Sequence, residues 1–104
     1  MTWRERIQAA RERKARGERG FTEADLRVWN SCATCLVGET VTRIFGIPVG
    51  EEGYGYPVYR FGQVSDVALQ AATYRALCRD DVEGLEDHLD AIEERALTLK
   101  REGV

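Results

Sequence analysis

Cys32 and Cys35, three residues apart in the stretch "WNSCATCLVGE" of residues 29–39, are the side chains whose type and spacing most invite chemistry. On a helix, positions i and i+3 share a face, so the two thiols can meet as a redox couple or supply half of a metal site. Adding Cys78 and the single His88 brings the candidate zinc ligands Cys32, Cys35, Cys78 and His88 to four by count. Their spacing differs from that of structural zinc modules, which carry two short-spaced ligand pairs on turns, because Cys78 and His88 lie on either side of a helix break. Thiolates are favoured in the first turn of a helix, whereas Cys32 falls about three turns after the N-cap offered by Thr22. The reading adopted is therefore two small buried residues packing beside Trp29 and Leu36, with no metal and no cofactor.

Other catalytic patterns are missing from the sequence. It has no Gly-x-Ser-x-Gly, no phosphate-binding glycine loop ahead of Lys-Ser/Thr, and no Ser/His/Asp set. His88 stands alone on an acidic segment and reads as a solvated or capping side chain.

What remains is charge and aromatic surface. The net charge of −3 hides an asymmetry: residues 1–19 carry seven Arg/Lys against three Glu, while residues 80–94 carry eight carboxylates and no Lys or Arg. Arg4, Arg11, Arg13 and Lys14 could meet the acidic row Glu83, Asp87, Asp90 and Glu94, within one chain or from a second copy by exchange of the terminal helix. The same arginines could hold a nucleic-acid backbone weakly, although the acidic remainder opposes it. Residues 46–63, "GIPVGEEGYGYPVYRFGQ", contain both prolines and four of the nine aromatics. Tyr and Arg are enriched in protein–protein contacts, which nominates Tyr54, Tyr56, Tyr59, Arg60 and Phe61 as a binding set.

The elements that must position these groups follow from capping and periodicity. Thr2 with Glu5 forms a capping box, and Trp3, Ile7 and Ala10 share one face of a first helix that ends at Gly17 or Gly20 as a solvated basic arm. Thr22 with Asp25 starts a second helix, stapled by Phe21 and Leu26. Its apolar spacing permits one long helix to Phe45, stopped by Gly46 and Pro48, or a stop at Gly38 followed by a short strand. Residues 46–63 preclude a regular helix and read as a long loop or loose hairpin. A third helix starts at Ser65 or Asp66 and ends near Arg79. A last one, capped by Asp80 with Glu83, buries Val82, Leu85, Leu89, Ile92, Ala96 and Leu99 before Gly103.

Residues 30–40, "NSCATCLVGET", resemble the Cys-x-x-Cys helix of the AhpD-like alkylhydroperoxidase family, which is all-helical. The resemblance implies thiol-dependent peroxidase chemistry at Cys32 and Cys35, with Glu39 standing where that family carries a histidine. It spans eleven residues, and the family's upstream relay glutamate has no counterpart at its spacing.

The composite expectation is a single all-α domain over residues 1–104, a three- to four-helix bundle with an aromatic, glycine-rich excursion between its second and third core helices. It is expected to be cytoplasmic, with no membrane contact, and to act non-enzymatically through a protein partner or itself as a homodimer. Thiol-redox chemistry and weak nucleic-acid binding are the alternatives.

Overall fold

Six apolar residues of the last expected helix set the architecture. Val82, Leu85, Leu89, Ile92, Ala96 and Leu99 recur every three or four positions, and all six are buried in the computed structural model, which describes residues 1–31, 35–62 and 67–103. They lie on α6 (Val82–Arg101), whose 20 residues make a rod about 30 Å long. Against this rod pack α1 (Trp3–Ala15), α3 (Leu36–Phe45), α4 (Gly55–Arg60) and α5 (Val67–Cys78), while α2 (Glu23–Trp29) follows the α1 turn. All regular structure among the described residues is helical, and no helix there is long and apolar enough to cross a membrane. Each fully buried Leu or Ile on the α6 stripe contributes about 1.5–3 kcal/mol, so this seam dominates the fold.

Helix α1 begins as its sequence requires. The Thr2 hydroxyl accepts from Glu5 N–H, and Thr2 N–H donates to the Glu5 carboxylate. It ends in a Schellman turn, with Gly17 at φ +81° and Glu18 N–H bonded to the Arg13 carbonyl. The expected solvated arm is corrected in part: Arg13 Nε donates to the Gly20 carbonyl and Lys14 Nζ to the Asp80 carbonyl, so the basic end folds back onto the body.

The single helix expected to run from Thr22 to Phe45 is two. Thr22 caps α2 with Asp25 in the predicted capping box, but the chain leaves the helix at Asn30 and re-enters at Cys35, whose φ, ψ of −66°, 162° are those of an N-cap. Asn and Ser compete with the backbone for hydrogen bonds. Asn30 ends α2 as its C-cap, and its side-chain amide joins its own backbone N–H on the Leu26 carbonyl. Gly38 is an interior position of α3, so neither the stop there nor the short strand exists, and Gly46 at φ +71° closes the helix as predicted.

Residues 46–62 are neither one loop nor a hairpin. Gly50 and Gly53, both at φ +91°, turn the chain, and α4 then carries Tyr56 and Tyr59. Pro57 is compatible with this helix because it sits in the first turn, where its missing N–H has no intrahelical partner to lose. The expected α5 start at Ser65 or Asp66 lies outside the described residues.

The cap of α6 is shifted by one residue. The Asp81 carboxylate accepts from Gly84 N–H, whereas Asp80 adopts φ +57°, a left-handed position that aspartate tolerates better than most residues. From there the Asp80 carboxylate reaches across to Gly20 N–H at 2.8 Å and Phe21 N–H at 2.7 Å, clamping the α1–α2 connection to the α5–α6 turn. Partial burial pushes this carboxyl up. The two backbone hydrogen bonds, with Lys14 and Arg19 nearby, outweigh it and hold the group below the usual aspartate range.

Candidate interaction surface

Helix α6 presents two flanks beside its buried stripe, and they are used differently. On one flank Glu83 and Glu86 receive the Arg11 guanidinium, while Asp90 and Glu93 receive that of Arg4. Glu93 also takes Arg43 from α3, so one carboxylate ties α1 and α3 to α6. The bond to Glu93, opposed by partial burial and helped by Asp90, raises the Arg4 pKa, and the bonds to Glu83 and Glu86 raise that of Arg11. Arg13 lies 3.7 Å from Asp25. All three arginines of the expected basic binding set are thus paired within the chain. Sequence reasoning aligned Glu83, Asp87, Asp90 and Glu94 as one row, but the structure splits it: Glu83 and Asp90 face α1, while Asp87 and Glu94 form no ion pair among the described residues and stand exposed.

The opposite flank of α6 is open. Together with the end of α4 it encloses a groove of about 900 Å³, walled by Tyr59, Arg60 and Phe61 on one side and by Ala91, Glu94, Arg95, Thr98 and Glu102 on the other. Tyr59 is 81% exposed and Tyr56 56%, on a helix anchored by buried Pro57 and Phe61. Arg60 reaches Glu102 at 3.8 Å across the groove. The five nominated aromatic-loop residues therefore divide by role. Tyr56, Tyr59 and Arg60 are surface groups, Phe61 is core, and Tyr54 is half-buried against it. Arg95 and Ala91 were missed, although their i, i+3, i+4, i+7 register with Glu94 and Thr98 was legible once the buried stripe of α6 was assigned.

A second, smaller cavity of about 300 Å³ lies beside α3, lined by Trp29, Cys35, Leu36, Val37, Tyr54 and Val58 among others. Cys35 is partly buried there, and its Sγ accepts from Gly38 N–H at 3.3 Å, the hydrogen bond of an N-cap. Cys32, its partner in the redox and zinc readings, lies outside the described residues. Both carboxylate oxygens of Glu39 accept from Trp3 N–H, at 3.1 and 3.0 Å, across the α1 start. Cys78 is exposed and bonded to Tyr74, whose hydroxyl pKa is pushed up by that contact, and the Tyr74 ring lies 5.0 Å from Trp29. Among the described residues no three His, Cys, Asp or Glu side chains gather around a common point, so Cys35, Cys78 and His88 are not assembled as a ligand set.

The sequence matches no protein-family model, no curated protein and no solved structure. The functional reading rests on the geometry.

Proposed function

We propose that this chain is a small accessory protein that works by protein contact, and that its contact surface is the α4–α6 groove rather than the basic first helix. The observation that carries the reading is Tyr59, 81% exposed on a six-residue helix held by buried neighbours. A tyrosine presented this way offers large amphipathic area at low conformational cost, and it stands beside arginines, the other residue type enriched in hot spots. The pairing of Arg4 and Arg11 with α6 carboxylates argues against the nucleic-acid alternative, since a phosphate backbone would have to displace those carboxylates. A photo-cross-linking residue at position 59 is expected to give a discrete protein adduct in native extract, while one at exposed Glu12 on α1 gives none. Equal labelling from both positions would count against the groove.

One observation favours thiol chemistry as a second reading. The helix break makes Cys35 the N-cap of the ten-residue α3, the position where a thiolate is stabilised by backbone N–H groups and the helix dipole. Alkylation at neutral pH, followed by peptide mass spectrometry, separates this from the filler role. Cys35 is expected to react faster than the more exposed Cys78 if it is activated, and slower if burial alone governs it.

A further inference from the structure

The cavity beside α3 differs from the α4–α6 groove in chemistry. It lies between the end of α2, the start of α3, the connection through Val49 and Tyr54, α4 and α5, and no Asp, Glu, Lys, Arg or His is among the described residues that line it. Trp29, Leu36, Val37, Val49 and Val58 supply apolar wall, and Asn30 and Thr73 bring polar side chains to it. The groove, by contrast, is lined by Arg60, Glu94, Arg95 and Glu102, and the two share no lining residue. Occupancy of the cavity and contact at the groove are therefore independent.

Two features keep this space from closing. Gly38 lines it from the interior of α3, where glycine weakens a helix relative to alanine and brings no side chain to fill the gap. The Trp29 ring is held in the wall by Tyr74, 5.0 Å away and tilted by 45°. Protein interiors leave few voids larger than a water molecule, so an apolar space of about 300 Å³ in a domain this small forfeits contacts until something fills it. A cavity of about half that volume is enough to hold benzene.

We infer that this cavity is a binding site for a small, uncharged, flat apolar molecule of one or two fused rings that carries an N–H or O–H group. Volume sets the size. The absence of a countercharge sets the charge, because an ionised ligand would lose its water and meet no opposite charge. Trp29 favours a ring, which gains offset-stacked or edge-on contact with the indole. Thr73 selects the polar group: it is buried, and its hydroxyl already donates to the Gln70 carbonyl at 2.8 Å, so its oxygen is left to accept from a ligand donor.

Indole has this chemistry and is the probe. In amide NMR spectra of the wild-type chain, indole is expected to shift Gly38, Val58 and Thr73 saturably, half-complete at or below about 1 mM, and to leave Arg95 and Thr98 of the groove unmoved. Indole carboxylate, the same ring with a charge, should bind at least about tenfold more weakly. Val49→Phe and Val58→Phe put a ring into the space, and each is expected to weaken indole at least about tenfold; both positions are half-buried, so circular dichroism should match wild type. No saturable shift up to about 5 mM indole, equal shifts at the groove, or equal affinity for the carboxylate would each overturn the site, and none of these needs a variant to fold. Folded Val49→Phe and Val58→Phe chains that both bind indole as wild type does would overturn it as well.

Discussion

Asp25→Ala is expected to lower the free energy of unfolding by about 3–5 kcal/mol, read from denaturant melts, because it strands buried positive charge. Asp25 is 2% exposed, and its carboxylate accepts from Arg6 Nη1 at 2.8 Å and Thr22 N–H at 2.9 Å, with Arg13 Nη2 in ion-pair contact at 3.7 Å. The arginine side chains are themselves largely covered, Arg6 at 16% and Arg13 at 25% exposure. Arg6 Nε is buried without a hydrogen-bond partner among the described residues, which offer the network no spare acceptor to replace the one removed. The half of the α2 capping box that runs from Thr22 N–H to the Asp25 carboxylate is lost at the same time. For a domain near 100 residues the change amounts to a drop of more than about 10 °C in Tm. Asp25→Asn, which keeps the cap acceptor but not the charge, should fall between wild type and alanine. A loss under about 1 kcal/mol for alanine would mean that water solvates Arg6 and Arg13 where Asp25 stood.

Asp25 also marks the boundary of what the sequence discloses. Its place in the Thr22 capping box was legible, because a cap is a local pattern of four residues. Its burial under Arg6 and Arg13 was not, because that depends on the α1–α2 turn bringing Asp25 back beside α1, a tertiary fact with no periodic trace. The α6 stripe was legible for the same reason as the cap: it repeats through more than two heptads and has one way to be buried. The break between α2 and α3 was misread because apolar spacing alone continues through it, and the residues that mark it are a C-cap at Asn30 and an N-cap at Cys35, neither of which interrupts the apolar pattern. The helix α4 was excluded on its proline and glycines, yet a proline in the first turn removes no intrahelical hydrogen bond. Of the candidate surface, Tyr56, Tyr59 and Arg60 were chosen by residue type. The wall opposite them, with Ala91 and Arg95, could be seen only after α6 was divided into a buried stripe, a flank paired with α1 and an open face.

That division raises the question of what holds α1 in place, and Trp3→Ala answers it. Besides its hydrogen bonds and ion pairs to Asp25, Glu39 and Asp80, helix α1 is held by the ion pairs of Arg4 and Arg11 with α6 and by three buried side chains, Trp3, Ile7 and Ala10. The ion pairs are many but solvated, with Arg4 42% and Arg11 36% exposed, and pairs of this kind contribute about 0–1 kcal/mol each and weaken with salt. Trp3 is 0% exposed, and removing a buried indole costs about 3–5 kcal/mol through lost transfer energy and the cavity left behind. The Arg6 guanidinium, 5.9 Å from the Trp3 ring centroid, would lose a face to rest on as well. Trp3→Ala is therefore expected to destabilise the protein by about 3–5 kcal/mol and to abolish hydrogen-exchange protection along α1 before that of α6. Arg4→Ala should cost no more than about 1 kcal/mol, and Arg11→Ala should leave the protection of α1 in place. Salt near 1 M, where the Debye length falls to about 3 Å, should leave wild-type α1 protected. If salt released α1 while Trp3→Ala did not, the arginines rather than the indole would be its anchor, and the flank of α6 now covered by α1 would become a second surface open to a basic partner.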